Sequence, residues 1–202
     1  MTSDYPIDFS KMNKAIFIDK DGTLIPDIPY NVNPDLITLN EGVIEGLKLL
    51  KAQGYIFVMI SNQSGVARGY FEEEALTGVK NKVQQLLEAD AIQFDGFYWS
   101  FNHPQGTVEK YAVACNFRKP KPGMILQAAE EHEIDLKNSW MIGDILNDVE
   151  AGKRAGCQSI LIDNGNETEW LTGEYRTPDY KAKNFFQAAA YITDVHSTDL
   201  GI

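Results

Sequence analysis

Residues 15–23 read Ala15-Ile16-Phe17-Ile18-Asp19-Lys20-Asp21-Gly22-Thr23. The first four are apolar without alternation and rich in β-branched and aromatic side chains, as expected of a strand covered on both faces. The run stops at a carboxylate, and a second carboxylate follows one residue later. Working outward, Tyr55-Ile56-Phe57-Val58-Met59-Ile60 repeats the buried-strand pattern and ends at Ser61; Trp140-Met141-Ile142 repeats it again and ends at Gly143-Asp144. Between them, Val43, Leu47 and Leu50 recur at helical spacing ahead of Gly54, and Leu76, Val79, Val83 and Leu87 mark a longer helix. Phe94 to Trp99 reads as a strand, Pro122 to Glu133 as a helix, Asp148 to Ala155 as a helix capped by Gly156, and Ser159 to Ile162 as a further strand. Four or five βα units of this kind form an α/β, Rossmann-like open parallel sheet with helices on both faces. Residues 1–12 read as an extension and 13–202 as a single domain. Residues 100–118 form a long connection with few periodic apolar positions.

The chain has 202 residues, 44% hydrophobic and 23% charged, with 29 acidic against 18 basic side chains and a net charge of −11. That field repels phosphate backbones and anionic lipid, which argues against nucleic acid or membrane partners. Cys115 and Cys157 are too few for a disulfide framework, and no run approaches the ~18 apolar residues of a membrane span. These features point to a cytoplasmic protein.

In open α/β sheets ligands bind beyond the carboxyl ends of the strands, where three polar groups fall here. Asp19 and Asp21, separated by one residue at a strand end, can share one space, one attacking and one handling protons, while Gly22 turns the chain. Asp-x-Asp-Gly is also turn chemistry. A calcium loop would need a bidentate Glu near its twelfth position, which is Tyr30. Ser61-Asn62-Gln63-Ser64-Gly65 offers a hydroxyl, an amide and backbone N–H groups that suit either a phosphate or a helix cap. Asp144 suits Mg²⁺, and Asp148 reads equally as an N-cap. Arg118-Lys119-Pro120-Lys121 places cations, stiffened by proline, just ahead of a helix.

In that order, Asp19-Lys20-Asp21-Gly22-Thr23, Ser61, Lys119 and Gly143-Asp144 resemble the four signature motifs of the haloacid dehalogenase-like (HAD) phosphohydrolases. Asn62 to Gly69, His103-Pro104-Gln105-Gly106 and Arg118 to Met124 resemble the subgroup of D-glycero-D-manno-heptose 1,7-bisphosphate phosphatases and histidinol-phosphate phosphatases. The resemblance covers roughly residues 13–165. It implies a core with no large cap domain, for which the span from Gly22 to Tyr55 leaves no room.

It also implies an aspartyl-phosphate mechanism on a small-molecule phosphate ester, with Asp19 as nucleophile, Asp21 as acid and base, and Ser61 and Lys119 on the phosphoryl oxygens. Asp19, the main-chain carbonyl of Asp21, and Asp144 would hold Mg²⁺. Substrate contacts would come from Asp27, Tyr30, Asn62, Gln63, Ser64, Gly65 and Arg118, in a monomeric enzyme. A sugar bisphosphate leads as substrate, with histidinol phosphate as the alternative. A receiver-like phospho-aspartate domain is the reading from another class, but it needs no acid two residues beyond the phosphorylated Asp.

The resembled subgroup ties the loop before Arg118-Lys119 with zinc through Cys-x-His and Cys-x-Cys pairs. This chain has Ser100-Phe101-Asn102 and Cys115-Asn116-Phe117 at those places, so one thiolate remains of four ligands. Packing of Trp99, Phe101, Tyr111 and Phe117 is expected to order the loop instead. Elemental analysis of protein purified without chelator should find no stoichiometric zinc. About one zinc per chain, lost in Cys115→Ser, would refute this.

Overall fold

The computed structural model describes residues 12–199, so the expected extension 1–12 lies, apart from Met12, outside the described residues. Six strands form one all-parallel sheet: β1 (Lys14–Ile18), β2 (Tyr55–Asn62), β3 (Gly96–Ser100), β4 (Trp140–Gly143), β5 (Gln158–Ile162) and β6 (Tyr180–Ala182). Their order across the sheet is β3-β2-β1-β4-β5-β6. Five helices accompany them: α1 (Val43–Ala52), α2 (Ala75–Glu88), α3 (Gly123–Glu131), α4 (Leu146–Ala155) and α5 (Phe185–Asp199). Between β1 and α1 only a loop with one 3₁₀ turn, Pro34–Leu36, intervenes, so no cap domain is inserted there.

Strand side chains alternate between the two faces of a sheet, and this period divides the apolar runs between two cores. Ile16, Ile18, Phe57, Met59, Trp140 and Ile142 join the core filled by α1, α2 and α5. Ala15, Phe17, Val58, Ile60 and Met141 join the opposite core, filled by α3 and α4. The unalternating runs are therefore explained by burial on both faces.

Strand order reverses between β1 and β4. Ile18 pairs with Met59 of β2 on one side and Ile142 of β4 on the other, and the Asp19 N–H donates to Ile142 O at 3.0 Å. The first carboxylate thus emerges at the switch point of the sheet, the place where such folds leave a crevice.

Two elements escape the sequence pattern. The three-residue β6 is too short for a periodicity and comes after a long irregular connection from β5, and α5 follows it almost at once. Yet α5 closes the larger core: Phe185, Ala188, Ala189 and Ile192 are buried, and a Cβ on Gly46 of α1 would stand 2.7 Å from Phe185 Cδ1, so the two helices meet closely because Gly46 is small.

The 100–118 connection is held mainly by backbone hydrogen bonds to the loop after β2. Thr107 N and Val108 N both donate to Ala67 O, at 2.8 and 2.9 Å, and Thr107 Oγ1 donates to Arg68 O. Phe101 meets Tyr111 edge to face at 6.0 Å, and Trp99 and Phe101 pack against the core as expected. Phe117 is the least buried of the expected cluster: it is 42% exposed and lines a surface groove together with Trp99, Phe101 and Met124.

Phe185→Ala should destabilise the fold by about 3–5 kcal/mol, the usual loss for truncating a buried aromatic ring. Urea unfolding checks this, and a loss below about 1 kcal/mol would mean that α5 is peripheral to the core.

Candidate active site

The turn after β1 is built by its backbone. Leu24 N and Ile25 N return to Lys20 O, and Gly22 N donates to Ile25 O at 2.8 Å. Gly22 has φ +82°, and a Cβ there would fall 1.9 Å from Asp144 Oδ2, so no side chain fits. At the end of β4, a Cβ on Gly143 would stand 2.2 Å from that of Asp148. These two glycines let the ends of β1 and β4 and the start of α4 close on one another.

What they enclose is a buried ionic cluster. Oxygens of Asp19, Asp144 and Asp148 lie within 4.8 Å of one another. Lys119, 3% exposed, sends Nζ to Asp19 Oδ1, to Asp148 Oδ1 at 2.6 Å, and to the carbonyl of Ile60 at 3.1 Å. Asn62, at the end of β2, holds the Lys119 backbone on both sides: Lys119 N donates to Asn62 Oδ1 at 3.0 Å and Asn62 Nδ2 donates to Lys119 O at 3.1 Å. Asp148 accepts the Ile145 N–H through its other oxygen at 3.2 Å. The residue that read as an N-cap is therefore a cap and also a partner of the buried lysine.

Electrostatics follow from burial. Desolvation pushes the Asp19 carboxyl well above its ordinary range; Lys119 opposes this, while Asp148, Asp144 and Asp21 add to it. Asp144 is pushed up to about 7, by burial first and then by Asp148, against the pull of the Asn166 amide. Burial pulls Lys119 down, but Asp148 and Asp19 outweigh it and hold the ammonium above its ordinary value.

Other expected residues surround a cavity of about 240 Å³ lined by Lys20, Asp21, Asp27, Tyr30 and the segment Asn62 to Gly65, among others. Asp21 is held at its mouth by Lys20 Nζ at 2.6 Å and Gln63 Nε2 at 3.1 Å, so its carboxylate stands apart from the cluster of three. Gln63 Nε2 also donates to Ser61 Oγ at 2.8 Å. Because that hydroxyl accepts from Gln63, its proton is free to point elsewhere. Arg118 is not among the residues lining the cavity; its Nη1 donates to Asn102 O at 3.4 Å.

Sequence reasoning missed Asn164, Asn166 and Glu167, which follow β5. Asn166 Nδ2 donates to Asp144 Oδ2 at 2.6 Å, Asn164 Nδ2 to Gly22 O at 2.8 Å, and Glu167 accepts the Leu146 N–H at 2.6 Å. The run Asp163 to Glu167 is a fourth polar strand end, and that was the available signal.

The cluster suits a hard divalent cation, since three buried carboxylates face a single ammonium. With both Asp148 oxygens engaged, Asp19 and Asp144 are the carboxylates best placed to hold one. No helix among the described residues is long and apolar enough to cross a membrane.

Comparison with known proteins agrees with this geometry. Residues 116–190 match the HAD-hydrolase-like family model. The chain is 43% identical over 151 residues to the D-glycero-β-D-manno-heptose-1,7-bisphosphate 7-phosphatase of Pasteurella multocida, covering 75% of this chain and 82% of that one. It is 38% identical over 170 residues to the enzyme of that name from Escherichia coli K12, covering 84% and 85%. The structure of D,D-heptose 1,7-bisphosphate phosphatase from B. bronchiseptica, complexed with magnesium and phosphate, superposes with a TM-score of 0.73 at 25% identity, covering 90% and 99%. The six-stranded parallel sheet, the acidic cluster at its switch point and these similarities together establish that the chain belongs to the HAD-like hydrolases, in the family of the heptose-1,7-bisphosphate 7-phosphatases.

Proposed function

We propose that this chain is a Mg²⁺-dependent phosphatase that removes the 7-phosphate of D-glycero-β-D-manno-heptose 1,7-bisphosphate. The observation that carries the reading is the buried Asp19–Lys119–Asp148 cluster with Asp144 beside it and Asp21 on the adjoining cavity wall, in a chain so similar to phosphatases of that name.

An oxygen of Asp19 attacks phosphorus, the bond from phosphorus to the sugar oxygen breaks, and Asp21 gives the leaving alkoxide a proton. Asp21 then takes a proton from water, which attacks the aspartyl-phosphate, releases inorganic phosphate and restores Asp19. Ser61, whose O–H is free to donate, and Lys119 hold the phosphoryl oxygens. Lys119 donates to Asp19 and to the Ile60 carbonyl and is ion-paired with Asp148, so the N–H on Asp19 turns to the phosphoryl group as Asp19 engages phosphorus. Asp148 keeps the ammonium in place through that exchange. Mg²⁺ held by Asp19 and Asp144, with the main-chain carbonyl of Asp21, supplies positive charge that offsets repulsion between carboxylate and phosphate. Asp27, Tyr30 and residues 62–65 hold the sugar, and Arg118 reads the second phosphate. A site assembled within one chain suits a monomer, and unbridged Cys115 and Cys157 suit the cytoplasm.

Phosphate release with Mg²⁺ should be fastest, as kcat/KM, on the heptose bisphosphate in a panel with sugar monophosphates, other sugar bisphosphates, histidinol phosphate and nucleotides. A higher value on histidinol phosphate would overturn the substrate, and no release on any member would overturn the chemistry. EDTA should abolish release and added Mg²⁺ restore it.

Asp19→Asn should show no turnover, because an amide neither attacks phosphorus nor carries the charge that binds Mg²⁺. Asp21→Asn should slow release by about 10²- to 10⁴-fold, the usual worth of a positioned acid and base, without weakening Mg²⁺ activation. Asp148→Asn should lower kcat by about tenfold or more, since losing a charge partner of a buried ammonium costs on the order of 1.5–3 kcal/mol. Steady-state kinetics at saturating Mg²⁺ check all three, and wild-type turnover in Asp19→Asn would sink the mechanism.

A further inference from the structure

Where the loop after β2 meets the 100–118 connection, two arginines and a histidine come together without a carboxylate. Arg68, in the loop between β2 and α2, brings Nη2 to 3.4 Å from His103 Nε2. The Gln105 N–H donates to His103 Nδ1 at 3.1 Å, so Nδ1 carries the lone pair and Nε2 the proton of the neutral ring. The approach of Arg68 to His103 is therefore one donor against another. Burial, then the charges of Arg118 and Arg68, hold the imidazole below its ordinary range, which keeps it neutral. Arg68 Nε is buried and lacks a hydrogen-bond partner.

Arg118 converges on the same segment, donating to the carbonyl of Asn102, the residue before His103. Arg68 N donates to the carbonyl of Ser64, a residue of the cavity wall, at 3.1 Å, and Arg118 directly precedes Lys119, so both arginines stand on chain segments that border the cavity and the ionic cluster. Among the described residues, neither guanidinium has a carboxylate within ion-pair range, whereas Arg154 and Arg176 share Glu150. Two neighbouring arginines without a carboxylate partner repel each other, which is unexpected in a chain of charge −11.

We infer that Arg68 and the Nε2–H of His103 join Arg118 in an anion subsite at the rim of the cavity, whose ligand is the substrate phosphate that is not cleaved. A phosphate presents three oxygens, accepts from several directions and suits the planar fork of arginine better than the point charge of lysine. The inference deepens the bisphosphate reading above and rests on it. Arg68 and His103 act on substrate choice, and the cleaved phosphate remains with Asp19, Ser61 and Lys119.

The test compares kcat/KM for heptose 1,7-bisphosphate with that for heptose 7-phosphate in wild type, Arg68→Gln and Arg68→Lys, with thermal unfolding as a check of folding. Loss of a charge-assisted contact predicts that the bisphosphate-to-monophosphate ratio falls about tenfold to a hundredfold in Arg68→Gln. Arg68→Lys should recover only part of it. Inhibition by heptose 1-phosphate, the product that keeps the second phosphate, should weaken in parallel, while inhibition by inorganic phosphate should not. An unchanged ratio in folded, active Arg68→Gln overturns the subsite and leaves the bisphosphate reading standing. A wild type with no preference for the bisphosphate overturns both.

Discussion

The whole site depends on keeping one lysine charged inside the protein. Lys119 is nearly inaccessible, and its ammonium is tolerable there only because it donates to Asp19 and the Ile60 carbonyl and is ion-paired with Asp148. Each partner comes from a different element: the end of β1, the first turn of α4 and the end of β2. An unpartnered buried ion costs several kcal/mol, so these three elements cannot drift apart without exposing a charge to apolar surroundings. Asn62 extends the same constraint to the backbone by clamping both polar groups of the Lys119 peptide unit. The charge balance remains incomplete, with three carboxylates around one ammonium, and burial first and then Asp148 push the Asp144 carboxyl up.

The sheet explains why these groups can meet at all. Parallel strands deliver their carboxyl ends to one edge, and reversal of strand order between β1 and β4 leaves a crevice there. Register pairs Ile18 with Ile142, which sets Asp19 level with Gly143 and one residue short of Asp144, so the carboxylates of the two strand ends meet across the gap. Gly22 and Gly143 make the approach possible, and Asn164 and Asn166 close it from the third strand end.

The core of this arrangement was legible in the sequence because buried parallel strands carry an unmistakable apolar run and each run here stops at a polar residue. Asp19, Ser61 and Asp144 could be found by looking at where the runs end. Lys119 could not be found in that way, since it sits in a loop; the resemblance to the four signature motifs identified it. Asp148 was ambiguous for a physical reason. A carboxylate in the first turn of a helix satisfies orphan N–H groups whether or not it does anything else, and nothing in one dimension shows what its second oxygen touches. The last strand and helix were invisible for another reason. Three residues make no period, and α5 is fixed by packing on Gly46 and the sheet, a contact between residues more than a hundred positions apart.

The acidic floor and the basic rim differ in how they are built. Floor carboxylates stand on strand ends and a helix turn whose register the sheet fixes, and moving any of them would break the ionic cluster. Arg68, His103 and Arg118 stand on two loops joined to each other chiefly where Ala67 O accepts two amides. Arg68 and His103 meet beside that joint, whereas Arg118 adjoins Lys119, whose backbone Asn62 clamps to the end of β2, so the first two side chains are the ones open to exchange. On the proposed reading bond cleavage belongs to the floor and the choice of phosphate ester to the rim, so a change in residues 64–69 or 100–118 is expected to alter substrate choice before it alters the chemistry.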